Sequence, residues 1–121
     1  MGIEEYEIPV LTTTLDNVRG RAWVHTPTAD GWSRAPIDLP DNAAIGLSAA
    51  DRDGSTAFLS VTGFLTPTTL MQLDAATGAV AVAKSTEPKF NASTHVVEQL
   101  EATSKDGTRV PVSLVWRKSL R

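Results

Sequence analysis

Short runs rich in Val, Thr, Leu and Ile alternate with Gly, Pro, Asp and Asn along the whole chain, and few apolar runs are long enough for a helix. That rhythm predicts an all-β protein built from antiparallel strands and tight turns. Glu7 to Thr14, Arg21 to His25 and Trp32 to Leu39 form a first set of three strands, separated by Asp16-Asn17 and by Ala29-Asp30-Gly31. Ala44 to Ala49, Ala57 to Thr62, Thr69 to Asp74 and Ala79 to Lys84 form a second set of four. In Asp51-Arg52-Asp53-Gly54, Asp and Gly are expected to supply the positive backbone angles of a hairpin. A Pro- and Asn-containing connection, Glu87 to Ser93, leads to a last pair, His95 to Thr103 and Thr108 to Arg117, joined by Ser104-Lys105-Asp106-Gly107. Val110, Val112, Leu114 and Trp116 keep a strict period of two, which predicts one buried face on the final strand.

Laying Leu11 to Ile37 over Phe58 to Lys84, a shift of 47 residues, superimposes strands and sets Asp30-Gly31 on Thr77-Gly78. A period of about 40 to 50 residues with four short strands per unit is the spacing of propeller blades.

With 121 residues, 41% hydrophobic and 21% charged, the chain suits one compact core, or a portion of a larger one, rather than disorder. No run approaches the eighteen or so apolar residues of a membrane helix. Met1 to Val10 carries acidic residues where a signal peptide has basic ones, so a soluble, cytoplasmic chain is expected. The absence of cysteine removes disulfides, a thiol nucleophile and Cys-ligated metals. A net charge of -3, with small basic clusters at Arg19/Arg21 and Arg117/Lys118/Arg121, argues against nucleic-acid binding.

Phe64-Leu65-Thr66-Pro67-Thr68-Thr69-Leu70, Leu73-Asp74 and Thr77-Gly78 have a distinctive wording. So do Val96-Val97-Glu98-Gln99 and Ala102-Thr103-Ser104-Lys105-Asp106-Gly107-Thr108-Arg109-Val110-Pro111. Together they resemble the junction segment of prolyl oligopeptidase-type serine peptidases, where the first phrase lies in the last propeller blade and the second opens the peptidase domain. The resemblance is strong from about Ala43 to Lys118 and looser before that, where Asn17-Val18-Arg19-Gly20-Arg21 looks like a piece of the preceding blade. It implies a seven-bladed propeller over an α/β-hydrolase domain whose Ser, Asp and His triad cleaves short peptides after proline, with those catalytic residues placed beyond Arg121. On that basis residues 1–86 are expected to be propeller blades, one partial and one complete, and residues 87–121 a linker and the opening hairpin of the peptidase domain.

The chain's own chemistry is sparse. A hydrolase nucleophile sits in a G-x-S-x-G elbow. Gly46-Leu47-Ser48-Ala49-Ala50 lacks the second glycine and falls in a predicted strand, so Ser48 is read as a strand residue. His25 and His95 stand alone, without the spacing of a zinc site. Asp51-Arg52-Asp53-Gly54-Ser55-Thr56 has the look of an EF-hand start, but its twelfth position is Thr62 and not glutamate. Asn91-Ala92-Ser93 is a formal glycosylation acceptor that matters only for a secreted chain. Trp23, Trp32 and Trp116 are read as core packing in preference to a sugar platform, Trp116 most firmly. No catalytic, cofactor-binding or metal residue is therefore assigned. The expected function is that of a non-catalytic fragment of a prolyl oligopeptidase-like peptidase, from the propeller that gates peptide access. The alternative is a free-standing β-module binding a peptide or glycan through a sheet edge. Expected partners are further copies of the chain, through exposed sheet edges, or the remainder of a peptidase.

Overall fold

The computed structural model of the protein describes residues 9–120. Nine strands form three antiparallel sheets. The first sheet joins β1 (Val10–Asp16), β2 (Arg19–Thr28) and β3 (Gly31–Pro36) in sequence order. In the second, β4 (Ala43–Ala50), β5 (Thr56–Gly63), β6 (Thr69–Asp74) and β7 (Ala79–Ser85) follow one another in the same way. β8 (His95–Thr103) and β9 (Arg109–Arg117) make a separate hairpin. Single 3₁₀ turns at Ala92–Thr94 and Lys118–Leu120 flank it. No helix among the described residues is long and apolar enough to cross a membrane.

The expected 47-residue repeat is visible as topology, because β1-β2-β3 and β5-β6-β7 are equivalent meanders at that offset. Their inner faces meet. Ala22 and Val24 of β2, with Ile37, pack against Ala43 of β4, Ala57, Leu59 and Val61 of β5 and Met71 and Leu73 of β6, and Ala75 closes one end. Leu59, Val61 and Leu73 are at most 1% exposed. Each such side chain removed from water contributes roughly 1.5–3 kcal/mol. Alternation of buried and half-exposed residues along Arg19 to Val24 of β2 and Thr56 to Val61 of β5 follows from the two-residue period of a strand with one covered face. At Gly20 the two sheets approach closely: a Cβ there would lie 2.6 Å from the Ala43 carbonyl oxygen and 2.8 Å from the Ile45 nitrogen.

Several expectations change in detail. β1 runs from Val10 to Asp16, and the expected start at Glu7 lies outside the described residues. β2 continues through Pro27 to Thr28, where Pro27 pairs with Trp32 of β3 and, among the described residues, β1 pairs only as far as His25. The two-residue turn between them is Asn17-Val18, both at positive φ (45° and 66°), with Asp16 paired to Arg19. Gly54 does not take a positive angle. A Cβ there would meet the Asp51 carboxylate, which would have to turn aside within a loop closed by the Asp51 N–H on the Thr56 carbonyl (2.8 Å).

The face predicted to be buried on β9 is not. Val110 and Leu114 are 43% and 40% exposed, and Val112 and Trp116 are half-buried. Their register partners Ala102, Glu98, Leu100 and Val96 complete this face, and no further strand or layer covers it among the described residues. Trp32 is also exposed, on the edge strand β3, and so is not core packing.

Candidate functional site

The residues singled out for chemistry are distributed over three different sheets. Ser48 lies in β4 where the pairing to β5 skips a residue, an exposed bulge. His25, in β2, shares a 2.8 Å hydrogen bond between Nε2 and Thr12 Oγ1. His95 opens β8, where Nδ1 contacts Thr94 Oγ1 at 2.9 Å and its ring meets Phe90 edge-on at 5.4 Å. Among the described residues no group of three or more His, Asp or Glu is arranged to hold a metal ion. Asp51 caps its own loop by accepting from the Asp53 N–H at 3.1 Å. Asn91 caps the 3₁₀ turn, its Oδ1 accepting from the backbone N–H and hydroxyl of Ser93 at 3.1 and 2.6 Å. Trp23 donates from Nε1 to Thr14 Oγ1 at 3.1 Å and carries the Arg34 guanidinium 4.5 Å above its ring.

Two carboxylates are tuned by turn geometry. The backbone N–H of Ala76, helped by Ser55 and Thr77, holds Asp74 below the usual carboxylate range. The backbone N–H of Thr108, with the hydroxyls of Thr108 and Ser104, does the same for Asp106. Asp106 precedes Gly107, whose φ of 84° lets the hairpin loop close with Ser104 and Thr108 bonded at 2.8 Å. Both acids organise turns.

The place where chain segments converge is the junction of the three sheets. An open cleft of about 420 Å³ is lined there by Val18, Asn42, Ala43, Phe64, Gln99 and Ser113, drawn from all of them. Val18 and Phe64 are 49% and 61% exposed. On one side of the cleft runs a polar chain. Gln99 donates from Nε2 to the Asn17 carbonyl (2.5 Å) and accepts at Oε1 from Arg19 Nε (2.6 Å). Arg19 and Arg21 in turn hold the two carboxylate oxygens of Asp41 at 3.5 and 3.3 Å. In the sequence Arg19/Arg21 read as a small basic cluster within a blade-like phrase, and Gln99 as a member of the junction phrase. Their i, i+2 spacing puts the two arginines on one face of β2, but nothing in a sequence marks Gln99, eighty residues away, as their partner.

No protein-family profile matches the chain. Individual proteins do. It is 43% identical over 91 residues to an uncharacterized peptidase of Sinorhizobium fredii, covering 75% of this chain and 12% of that protein. It is 29% identical over 85 residues to the prolyl endopeptidase of Elizabethkingia meningoseptica, again 12% of that protein's length. Among solved structures, a post-proline cleaving enzyme from Rickettsia typhi superimposes with a TM-score of 0.73 at 26% identity, over 95% of this chain and 17% of that one. Oligopeptidase B from Trypanosoma brucei shares the fold, with a TM-score of 0.75 at 21% identity over 93% of this chain and 17% of its own. The chain thus spans about an eighth to a sixth of the proteins it matches. In sequence and in fold it is similar to one all-β segment of the prolyl oligopeptidase-type peptidases.

Proposed function

We propose that this chain is a non-catalytic segment of a prolyl oligopeptidase-like peptidase, with blades up to about residue 86 and the opening strands of the hydrolase domain from 87 onward. The observation that carries this reading is the hairpin. One face, with Val96, Leu100, Ala102, Val110, Val112, Leu114 and Trp116 around the single acid Glu98, is mostly apolar and has no second sheet over it among the described residues, while the opposite face presents Gln99 and Ser113 to the cleft beside the blades. An apolar sheet face of that size needs a second layer. The solved neighbours that superimpose over 93–95% of this chain are about six times its length, ample to supply one.

In this reading bond cleavage belongs to residues outside the chain, since the sequence contains no G-x-S-x-G elbow to present a serine. The blades act on access: a rigid rim of strands admits short peptides and excludes folded proteins. A chimera tests it. Replacing the matching segment of the Elizabethkingia prolyl endopeptidase with residues 9–120 should give a folded enzyme that cleaves a chromogenic post-proline peptide and spares folded substrates. A soluble chimera that cleaves short and folded substrates alike would refute the gating role, and one that cannot fold would refute the correspondence of segments. The free chain should leave the same peptide intact and take up no serine-directed reagent.

A further inference from the structure

We propose that Gln99 is the positioning residue that sets the C-terminal hairpin against the blades, acting as a two-way latch. Its carboxamide joins strands eighty residues apart, with Nε2 on the Asn17 carbonyl and Oε1 on Arg19 Nε. The closely packed pairs of elements include none that joins β8 or β9 to a blade strand, so these two bonds stand out in an otherwise thin junction. The chemistry of the partners also fixes the orientation of the amide. Arg19 Nε–H can only donate and the Asn17 carbonyl can only accept, so a flipped amide would set donor against donor and acceptor against acceptor.

Both partners are themselves held in place. Arg19 is oriented by Asp41, which also holds Arg21 and sits in the connection from β3 to β4. Asn17 presents its carbonyl from a turn at positive φ whose second residue, Val18, is β-branched and disfavoured there. One chain of contacts, Asp41 to Arg19 to Gln99 to Asn17, therefore ties the connection between the two blades, the β1–β2 turn and the hairpin together. Gln99 itself lines the cleft, so the angle of the hairpin sets how wide the cleft stands. Glutamine alone satisfies both ends: glutamate would turn a second acceptor on the Asn17 carbonyl, lysine would oppose Arg19, and asparagine is one methylene too short. The inference rests on this chain's geometry alone and stands or falls apart from the gating role.

The chain has no cysteine, so spin labels can be introduced cleanly at exposed Thr28 and Ser104 as T28C and S104C. Pulsed electron–electron distance measurement, with unlabelled chain in excess so that only distances within one copy are read, reports the hairpin angle. The parent should give one narrow distance. Gln99→Ala and Arg19→Ala should each broaden and shift it, the double variant no more than either single one, and Gln99→Glu should fall between. Circular dichroism and the urea midpoint should barely move, because Gln99 lies outside the buried core. A parent-like narrow distance in Gln99→Ala would overturn the latch. So would additive broadening in the double variant, or loss of the blade fold in Gln99→Ala.

Discussion

Replacing Gly20 by alanine adds one methyl group at the point where two backbones meet, and its cost can be worked from the contact. The new Cβ would stand 2.6 Å from the Ala43 carbonyl oxygen, about 0.8 Å short of the 3.4 Å at which ordinary contact begins. Neither Ala43 O nor Ile45 N is the end of a flexible side chain, so β2 and β4 must separate. A gap of roughly 0.5–1 Å forfeits a quarter to a half of the dispersion well at each contact across it. With about 20–30 atom pairs at 0.1–0.2 kcal/mol each, the loss is roughly 0.5–3 kcal/mol. Removing a flexible glycine from a strand returns about 0.5–1 kcal/mol, leaving a net destabilisation of up to about 2.5 kcal/mol, centred on about 1 kcal/mol. Gly46 provides the control, because its nearest neighbour is the rotatable Ser60 Oγ at 3.1 Å. Urea unfolding at one fixed protein concentration should show the Gly20→Ala midpoint lowered by about 0.5–1 M and Gly46→Ala within experimental scatter of the parent. Equal midpoints for Gly20→Ala and the parent, or an equal loss in both variants, would refute the claim that the blades meet backbone to backbone.

Leu59→Ala or Leu73→Ala, each emptying a site at most 1% exposed, should cost about 2–5 kcal/mol by the same unfolding measurement, whereas Leu114→Ala should stay within about 0.5 kcal/mol. Asp74 and Asp106 have folded-state pKa values below those of the unfolded chain, so the stability they add is present above about pH 4 and is lost as pH falls through the folded values. Asp74→Asn with Asp106→Asn should therefore flatten the decline of the urea midpoint in acid, and an unchanged slope would count against the turn bonds. The uncovered hairpin face and the open edges of β1 and β9 lead us to expect assembly through strand pairing. Light scattering after size exclusion at micromolar concentration should find a dimer or larger species, and a cooperatively unfolding 12.9 kDa monomer would contradict this.

Strand order was legible because turn residues punctuate it so regularly: β6 and β8 were predicted with their observed bounds, and most other ends moved by only a few residues. Alternation in β9 identified which side chains share a face but not whether anything lies over them. Burial is a property of the neighbouring layer, and a strand cannot encode its neighbour's presence. Gly54 was misread for a related reason, since glycine serves both positive φ and close approach, and only coordinates separate the two. Trp32 falls on an edge strand whose side chains are all exposed, a fact of sheet order rather than of composition. The contact of Gln99 with Arg19 spans eighty residues and carries no local period at all.

The buried core ends early. Among the described residues its members run from Ala22 to Ala75, with Val80 the last side chain packed against it, and none comes from β8 or β9. We therefore expect the hairpin and the blades to open as separate cooperative units, coupled by a linker and a handful of polar contacts. Amide hydrogens of β5 and β6 should exchange only through global opening, while those of β8 and β9 exchange through a cheaper local event. In the proposed division the seam near residue 86 would let recombination join or separate modules without passing a breakpoint through a hydrophobic core.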